Sequence, residues 1–213
     1  MNAKGLAKIG GVFNVTRDLV LHTERGSITG HLQVDQLDIG SFEIPRVRLT
    51  SGRGCALEFY LCSLLTLTYI SLNSDILIKS KLISSTSSRG GIFDIRAQSS
   101  LGDVSLELDV PIDSHVNAEV STTVGSAHVS LPPAYVGSFQ LNAFLPFRKL
   151  QDGRLELGDE YPKDPTGAGR DRVLWVDYEG LFRYDGAVVW FRGGQGNGMV
   201  KATSRFGFVS LAF

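Results

Sequence analysis

The carboxylates best placed for acid–base chemistry are Glu107 and Asp109, two residues apart in the segment DVSLELDV. Alternate residues of a strand lie on one face, so the two side chains would point outward together. General acid–base catalysis needs two groups that are held close and have separated pKa values. A similar segment downstream has Ser130 and Pro132 at the corresponding positions, so no ladder of carboxylates is predicted. The sequence favours a solvated strand face, and we identify no catalytic residue.

The candidate metal ligands lack the spacing of a metal site. Histidines stand at positions 22, 31, 115 and 128. His22 and His31 flank one predicted turn, but surface histidines explain this arrangement better than a zinc site. An acidic cluster offers the oxygen ligands that Ca²⁺ prefers, although basic residues of the same loop neutralise it. The acids are Glu156, Asp159, Glu160 and Asp164, and the bases are Lys163, Arg170 and Arg172. We therefore expect no metal and no cofactor.

Three further motifs are too common to assign a function. The glycines at 194, 196 and 198 lack the spacing of a phosphate-binding loop, and no helix is predicted after them. Cys55 and Cys62 are seven residues apart and would face opposite sides of one strand, which favours two buried thiols over a disulfide. The triplet Asn14-Val15-Thr16 is a glycosylation sequon, which has meaning only in a secreted protein.

Aromatic residues are concentrated in the C-terminal third of the chain. They are Trp175, Tyr178, Phe182, Tyr184, Trp190, Phe191, Phe206 and Phe208. Comparison with the repeats described below places Trp175 and Phe182 among the inward-facing residues. Tyr178, Trp190 and Phe206 are the better candidates for exposure and form our candidate binding surface. Exposed in a row, such side chains could stack on sugar rings or contact a protein.

Seven glycines recur at near-regular intervals, within the same short pattern. They are Gly26, Gly54, Gly102, Gly125, Gly153, Gly180 and Gly207, at intervals of 28, 48, 23, 28, 27 and 27 residues. An apolar or small residue follows each glycine by two positions. Apolar residues precede most of the glycines by five and seven positions, and a serine or threonine precedes five of them by three. A period of 20–50 residues is typical of stacked-repeat architectures.

Each repeat reads as a strand, a tight turn and a second strand. Steps of two place the apolar side chains on one strand face, and glycine at the turn adopts a positive φ without a Cβ clash. The hydroxyl three residues earlier is suited to bonding a backbone amide at the turn. The 48-residue interval between Gly54 and Gly102 is close to two periods of 24 and predicts one extra repeat. Its turn is expected at residues 73–75 or in the serine-rich segment 84–91.

The composition suits one β-rich domain spanning residues 1–213. The chain is 43% hydrophobic and 20% charged, and its net charge of −1 comes without a polybasic block. These values exclude disorder and a nucleic-acid footprint. Residues 1–145 are regular, whereas 146–213 are less regular, aromatic and interrupted by loops at 158–172 and 192–198. Predicted strands in the regular part are 11–15, 19–23, 27–34, 43–50, 55–62, 65–71, 75–83, 92–98, 103–110, 116–122, 126–131 and 138–144.

The predicted fold is a single-domain parallel β-helix, or β-solenoid, of roughly eight irregular rungs. The alternative is an antiparallel β-sandwich, since short strands separated by turn residues also fit that class. The most apolar stretch, residues 61–72, is too short to span a bilayer and alternates like a strand. An alternating segment begins almost at the first residue, so we expect an uncapped end and a chain cut from a longer polypeptide.

Four segments resemble the adhesin-type β-solenoid domains of unknown function found in bacteria, which have divergent relatives in basidiomycete fungi. The segments are GVFNVTRDLVLHTERGSITGHLQV (11–34), SSLGDVSLELDVP (99–111), VNAEVSTTVGSAHVSLPPAYVGSFQLNA (116–143) and VKATSRFGFVSLAF (200–213). The shared motif is structural, a strand followed by Ser/Thr-x-x-Gly and a second strand. The resemblance implies a right-handed β-helix and carries no functional residues. Relatives often follow a membrane-anchoring segment.

Two functional hypotheses remain from the sequence. The first is a non-catalytic module for surface presentation, adhesion, or contact with a protein or glycan. The alternative is a carbohydrate-active enzyme that cleaves polysaccharides on a β-helix. For the first we expect a soluble segment of a secreted or membrane-anchored protein, with no nucleic-acid partner, no membrane insertion, and oligomer formation through uncapped end rungs.

Overall fold

The protein is all-β. The computed structural model describes residues 2–3, 9–15, 18–23, 28–34, 46–51, 55–61, 64–71, 75–82, 92–110, 114–132, 135–143, 169, 172–180, 182–190, 196 and 198–212. These residues form strands and short connections, with no helix among them.

Seventeen strands are described. In chain order they are β1 (Asn2–Ala3), β2 (Ile9–Val15), β3 (Asp18–Thr23), β4 (Ile28–Val34), β5 (Arg46–Ser51), β6 (Cys55–Leu61), β7 (Leu64–Ser71), β8 (Ile76–Leu82), β9 (Ile92–Leu101), β10 (Val104–Asp109), β11 (His115–Val124), β12 (Ala127–Ser130), β13 (Gly137–Ala143), β14 (Arg172–Glu179), β15 (Arg183–Trp190), β16 (Gly198–Phe206) and β17 (Val209–Ala212). The strands predicted between residues 11 and 144 are confirmed to within a few residues at each end.

The strands form two sheets. One has ten strands in the order β1-β3-β5-β7-β9-β11-β16-β13-β15-β14, and the other has seven in the order β17-β12-β10-β8-β6-β4-β2. Consecutive strands up to β12 therefore alternate between the sheets. Every described pairing is parallel except β13 with β15 and β14 with β15. An antiparallel sandwich would require antiparallel neighbours throughout, so the parallel pairings disfavour that alternative.

Among the described residues, one cluster of buried apolar side chains draws on both sheets. Strand burial alternates as the sequence pattern predicts, and Ile95 and Val120 of one sheet join Val104 and Val129 of the other, all with no exposed surface. Trp175 and Phe182 do not follow the prediction, because they are exposed rather than inward-facing.

Turn glycines stack on one another where the chain passes between the sheets. Gly102 and Gly125 have φ of 128° and 131°, so the predicted positive φ is confirmed at both. A Cβ on Gly125 would meet the carbonyl of Gly102, and one on Gly207 would meet the carbonyl of Gly125. Gly207 has no positive φ, so the close approach of two backbones is what requires glycine there. Gly26, Gly54 and Gly153 lie outside the described residues.

The hydroxyls three residues before Gly125 and Gly207 each donate to a glycine carbonyl of the neighbouring turn. Thr122 Oγ1 donates to the carbonyls of Gly102 (2.8 Å) and Val124 (3.2 Å), and Ser204 Oγ donates to that of Gly125 (2.7 Å). Both side chains are buried. The expectation of a bond to a backbone amide is therefore wrong at these two positions. The two hydroxyls link neighbouring turns.

The extra pair of strands expected between Gly54 and Gly102 is present as β7 and β8. Ser71 is paired with Ser99 and Ile76 with Val104, so the connection within this pair lies between β7 and β8, at the first of the two predicted places. Asp75 Oδ1 accepts a bond from the Asp103 amide at 2.9 Å. Asp103 Oδ1 likewise accepts one from the Ser126 amide at 2.6 Å. At this position, carboxylates link successive turns.

The C-terminal pair of strands, β16 and β17, stacks out of chain order. β16 lies between β11 and β13, and β17 lies beside β12, so residues 199–212 are paired directly with 117–130. The predicted repeat around Gly180 is replaced by an antiparallel hairpin of β14 and β15, which continues the ten-stranded sheet beyond β13. The turn between β14 and β15 is closed by a hydrogen bond, in which the Gly180 amide donates to the Arg183 carbonyl at 2.9 Å.

Glycines also allow β16 to enter the sheet. A Cβ on Gly137 would meet the Gly198 carbonyl and would stand 2.7 Å from the Tyr135 hydroxyl. Tyr135 is buried, donates to the Ser138 carbonyl at 2.7 Å, and its pKa is raised by burial. Gly198 begins a strand, so the prediction that no helix follows the glycine-rich segment is confirmed. A Cβ on Gly196 would meet the Val136 carbonyl, so this glycine also serves backbone packing.

The stacking of turn glycines predicts an ordered series of stability losses. Gly125→Ala combines a strained φ with a backbone overlap and should cost about 3 kcal/mol or more. Gly207→Ala introduces the overlap without the strained φ and should cost about 2 kcal/mol. Gly169 has a φ of 64°, and a Cβ there would have nothing within 4 Å, so Gly169→Ala should cost only about 1 kcal/mol.

Urea denaturation of the three variants measures these costs. A loss for Gly207→Ala no larger than that for Gly169→Ala would contradict the stacking explanation.

The buried hydroxyl of Thr122 gives a second test. Thr122→Val keeps the side-chain shape but leaves the Gly102 and Val124 carbonyls without this donor, at a cost of about 1–2 kcal/mol. Thr122→Ser retains the donor and should lose less. Equal free energies of unfolding for the two variants would show that the hydroxyl contributes nothing.

Candidate binding surface

The exposed aromatic residues differ in part from those predicted. Tyr178 and Phe206 are 54% and 46% exposed, as expected, whereas Trp190 is buried at 8% and the expectation of exposure is wrong there. Trp190 ends β15 on the inward face of the sheet, where the alternation along the strand buries it. Trp175 and Phe182 are exposed instead, at 62% and 50%. The surface defined by the structure therefore centres on β14.

A β-bulge brings Trp175 and Tyr178 to the same face of the sheet. Trp175 is paired with Ala187 and Tyr178 with Asp185, with Asp177 as the extra residue between Val176 and Tyr178. Partners two residues apart on β15 lie on one face, so both aromatic side chains face outward. Three residues of regular strand would have placed them on opposite faces. The spacing between such neighbours is about 7 Å.

Two glycines and the contact of Leu174 with the core position the hairpin that carries Trp175 and Tyr178. Leu174, between the outward positions, packs against the buried core. Gly186 leaves space for the Trp175 carbonyl and for the ring of Phe139, which a Cβ would displace. A Cβ on Gly180 would stand 2.8 Å from the Tyr178 ring and its hydroxyl, so the absence of a side chain at Gly180 leaves room for that ring.

Polar side chains border the aromatic pair on the same face. Asp185 accepts hydrogen bonds from Arg183 Nε at 2.7 and 2.9 Å and from Gln140 Nε2 at 3.3 Å. The hydrogen bond from Arg183 is the largest of the effects that lower the pKa of Asp185, and the same contact raises the pKa of Arg183. The face therefore presents a fixed carboxylate beside Tyr178, its partner in register.

Ion pairs continue this polar border across the sheet. Glu119 lies 3.6 Å from Lys201 and 4.0 Å from Arg96, and Arg96 lies 3.8 Å from Asp94. All four side chains are at least a third exposed, so such pairs add little stability. Their alternating signs leave the outward face with little net charge.

A hydrogen bond between Tyr184 and Glu179 also joins the two strands of the hairpin, on the inward face. Tyr184 packs against the core and its hydroxyl donates to Glu179 Oε1 at 2.9 Å. Burial, together with this bond, raises the pKa of Tyr184. The end of β14 is thereby tied to the start of β15.

Phe206 belongs to a different exposed strip. Leu101, Val124 and Phe206 are in register at the ends of β9, β11 and β16, and each is more than 40% exposed. Phe208 follows beyond Gly207, and the Arg205 guanidinium lies 5.8 Å from the Phe206 ring centroid. The three residues proposed from the sequence therefore do not form one surface.

The predicted carboxylate pair lies where the sequence placed it. Glu107 and Asp109 are exposed on β10, with Ser130 in register beside Glu107 as expected. On the other side, the register places Lys79 and Lys81 opposite the two acids, which the repeat pattern did not indicate. No second carboxylate stands beside either acid in these ladders.

The histidine and metal predictions are tested only in part. His128 Nδ1 lies 2.6 Å from Ser210 Oγ, and His115 is half-buried. The side chains of His22, His31 and Cys55 are outside the described set, as are Cys62, the sequon side chains and the acidic cluster of 156–164. Within the described residues, no three His, Cys, Asp or Glu side chains group as metal ligands.

Comparisons with known proteins find no match to a family model, a curated protein or a solved structure. The resemblance to adhesin-type domains therefore stays a prediction. The described part of the chain holds no helix that could span a membrane.

The Arg183–Asp185 contact gives a titration test. Arg183→Gln removes the guanidinium, so the pKa of Asp185 should rise toward its ordinary value, as followed by carboxyl-carbon NMR from about pH 2 to about pH 7. Because folding lowers this pKa, the contact stabilises the fold above the ordinary Asp range. That stability is lost as pH falls through the folded-state pKa.

Lys201→Gln is the matched control, since Lys201 pairs with Glu119 on the same face. It should leave the Asp185 titration unchanged. An unchanged titration in Arg183→Gln would contradict the assigned cause.

Proposed function

We propose that the chain is a non-catalytic module of the β-solenoid class, built as a right-handed parallel β-helix. The alternation of strands between two sheets supports this proposal. Seven pairs of consecutive strands each place one strand in the ten-stranded sheet and the other in the seven-stranded sheet. They run from β1–β2 to β11–β12, and the seventh is β16–β17. Parallel neighbours one repeat apart are the pairing that such a coil requires.

The proposed role is contact with a protein or a glycan through the outward face of the β14–β15 hairpin. The supporting observation is the pair of exposed aromatics, Trp175 and Tyr178, side by side on one strand face. Sugar rings and apolar protein groups both pack on such flat surfaces, and aromatic residues are enriched where proteins bind partners. Asp185, Arg183 and Gln140 supply hydrogen-bonding groups beside them.

The polysaccharide-cleaving alternative depends on Glu107 and Asp109. These acids lie on β10 in the seven-stranded sheet, whereas the aromatic pair lies in the ten-stranded sheet. A glycan held by Trp175 and Tyr178 would thus contact a different sheet from the one that carries the acids. This separation favours binding without cleavage.

Binding to arrayed glycans and to proteins of the extracellular surface tests the proposal. Trp175→Ala and Tyr178→Ala should each weaken binding about tenfold or more, as expected for central aromatic contacts. Phe208→Ala is the matched control, because Phe208 is 63% exposed but lies on the other strip. Equal losses in all three variants would contradict the proposed surface.

Release of reducing ends from polysaccharides separates the two functions. The wild-type protein should release none above background. Cleavage that Glu107→Gln or Asp109→Asn abolishes would overturn the non-catalytic proposal in favour of the enzyme.

A further inference from the structure

Strand β14 ends the ten-stranded sheet. Among the described strands it is paired only with β15, so its second backbone edge faces away from the sheet. Every side chain from Trp175 to Glu179 is exposed, although these residues alternate between both faces of the sheet. An edge strand of this length with apolar side chains is a template for pairing with another strand.

The sequence of β14 is complementary to itself in the antiparallel direction. Seven of its residues occupy ladder positions opposite β15, and Asp177 is excluded by the bulge. Trp175 is the central position, with three ladder positions on either side. The two ends carry opposite charges, Arg172 at the start and Glu179 at the finish.

Antiparallel pairing centred on Trp175 matches both the faces and the charges. It places Arg172 opposite Glu179, Val173 opposite Tyr178, and Leu174 opposite Val176 of a second copy. The β15 partners show that each pair joins positions on the same sheet face: Trp190 and Tyr184, Val189 and Asp185, Val188 and Gly186. The bulge is necessary for this match, because eight regular residues would have no central position.

We propose that two copies of this chain pair through β14, antiparallel about a two-fold axis at Trp175. The occupant of the edge is thus a second copy, and the charge complementarity of the strand ends selects it. A two-fold contact uses the same edge in both copies and closes the assembly as a dimer. The inference does not rest on the proposed ligand, since the dimer needs only the strand itself.

The pairing of two short strands buries less than the roughly 1,200 Å² of the smallest standard interfaces. The dimer should therefore dissociate in the micromolar range, and association should depend on concentration between about 1 and about 500 μM. Sedimentation equilibrium of the full chain without added ligand measures this directly. A monomer across the whole range would overturn the proposal.

Charge reversal tests the register. Arg172→Glu places like charges at both symmetric contacts and should weaken self-association about tenfold. Glu179→Arg should do the same, and the double variant should recover most of the loss because the opposite charges are restored in exchanged positions. Lys201→Glu makes the same change of charge on β16, three strands from this edge, and it should self-associate like the wild type.

Cross-linking tests the central position. Residues directly opposite in an antiparallel pair have Cα atoms about 4.5 or 5.5 Å apart, within the range that a disulfide spans. Trp175→Cys should therefore form a covalent dimer under mild oxidation. The native chain and Phe208→Cys, tested together, show the background from Cys55, Cys62 and random collision.

A dissociation constant that neither charge reversal changes would place the interface elsewhere and overturn the proposal. A yield of covalent dimer through position 175 no higher than this background would do the same. Circular dichroism of every variant shows whether the fold is kept. Rescue in the double variant cannot arise from unfolding, so it separates a register effect from a loss of structure.

Discussion

The close approach of backbone to backbone at the turns is the constraint on which the structure depends. Gly125 stands against the Gly102 carbonyl and Gly207 against the Gly125 carbonyl, with no room for a Cβ. Thr122 and Ser204 donate to the same two carbonyls from within the core. Because each turn joins a strand of one sheet to a strand of the other, fixing its position relative to the next turn sets the register of both sheets at once. A slip by one residue would expose the inward side chains of both strands.

This constraint also explains why the C-terminal strands β16 and β17 can stack out of chain order. Residues 198–212 have the same hydroxyl, glycine and apolar spacing as 114–130, so their turn fits directly on Gly125. Gly137 and Gly198 then allow β13 and β16 to approach beside the ring of Tyr135. The hairpin that carries Trp175 and Tyr178 is displaced to the end of the sheet as a consequence. The hairpin therefore lies beyond β13, because β16 takes the place beside β11.

The sequence predicted the all-β class and the strand boundaries up to residue 143, including the strands β7 and β8 between Gly54 and Gly102, because these depend on local alternation and turn residues. It could not predict which repeat would neighbour which, since Gly180 and Gly207 have similar flanking residues but only the second is stacked in the glycine series. Trp175 was assigned to the core by its distance from Gly180, a rule that holds for parallel repeats and fails in an antiparallel hairpin. The alternation of apolar and polar residues along β14 does not indicate the bulge at Asp177. Trp190 was misassigned for the same reason, since its face depends on the register of β15.

The exposure of Trp175 and Tyr178 bears on function because the core does not require it. The inward positions of the neighbouring strands β13 and β15 are filled by Phe139, Val188 and Trp190, which meet the packing needs of this part of the sheet. The outward positions could carry polar residues at no cost to that packing, as Gln140 and Asp185 do beside them. Apolar area left in water costs about 25 cal/mol per Å² relative to a buried state. For two large aromatic side chains fixed by Gly180 and by the bulge, that free energy is recovered only when another surface covers them. Their exposed position therefore supports the proposed contact with another molecule, because the stability of the monomer does not require it.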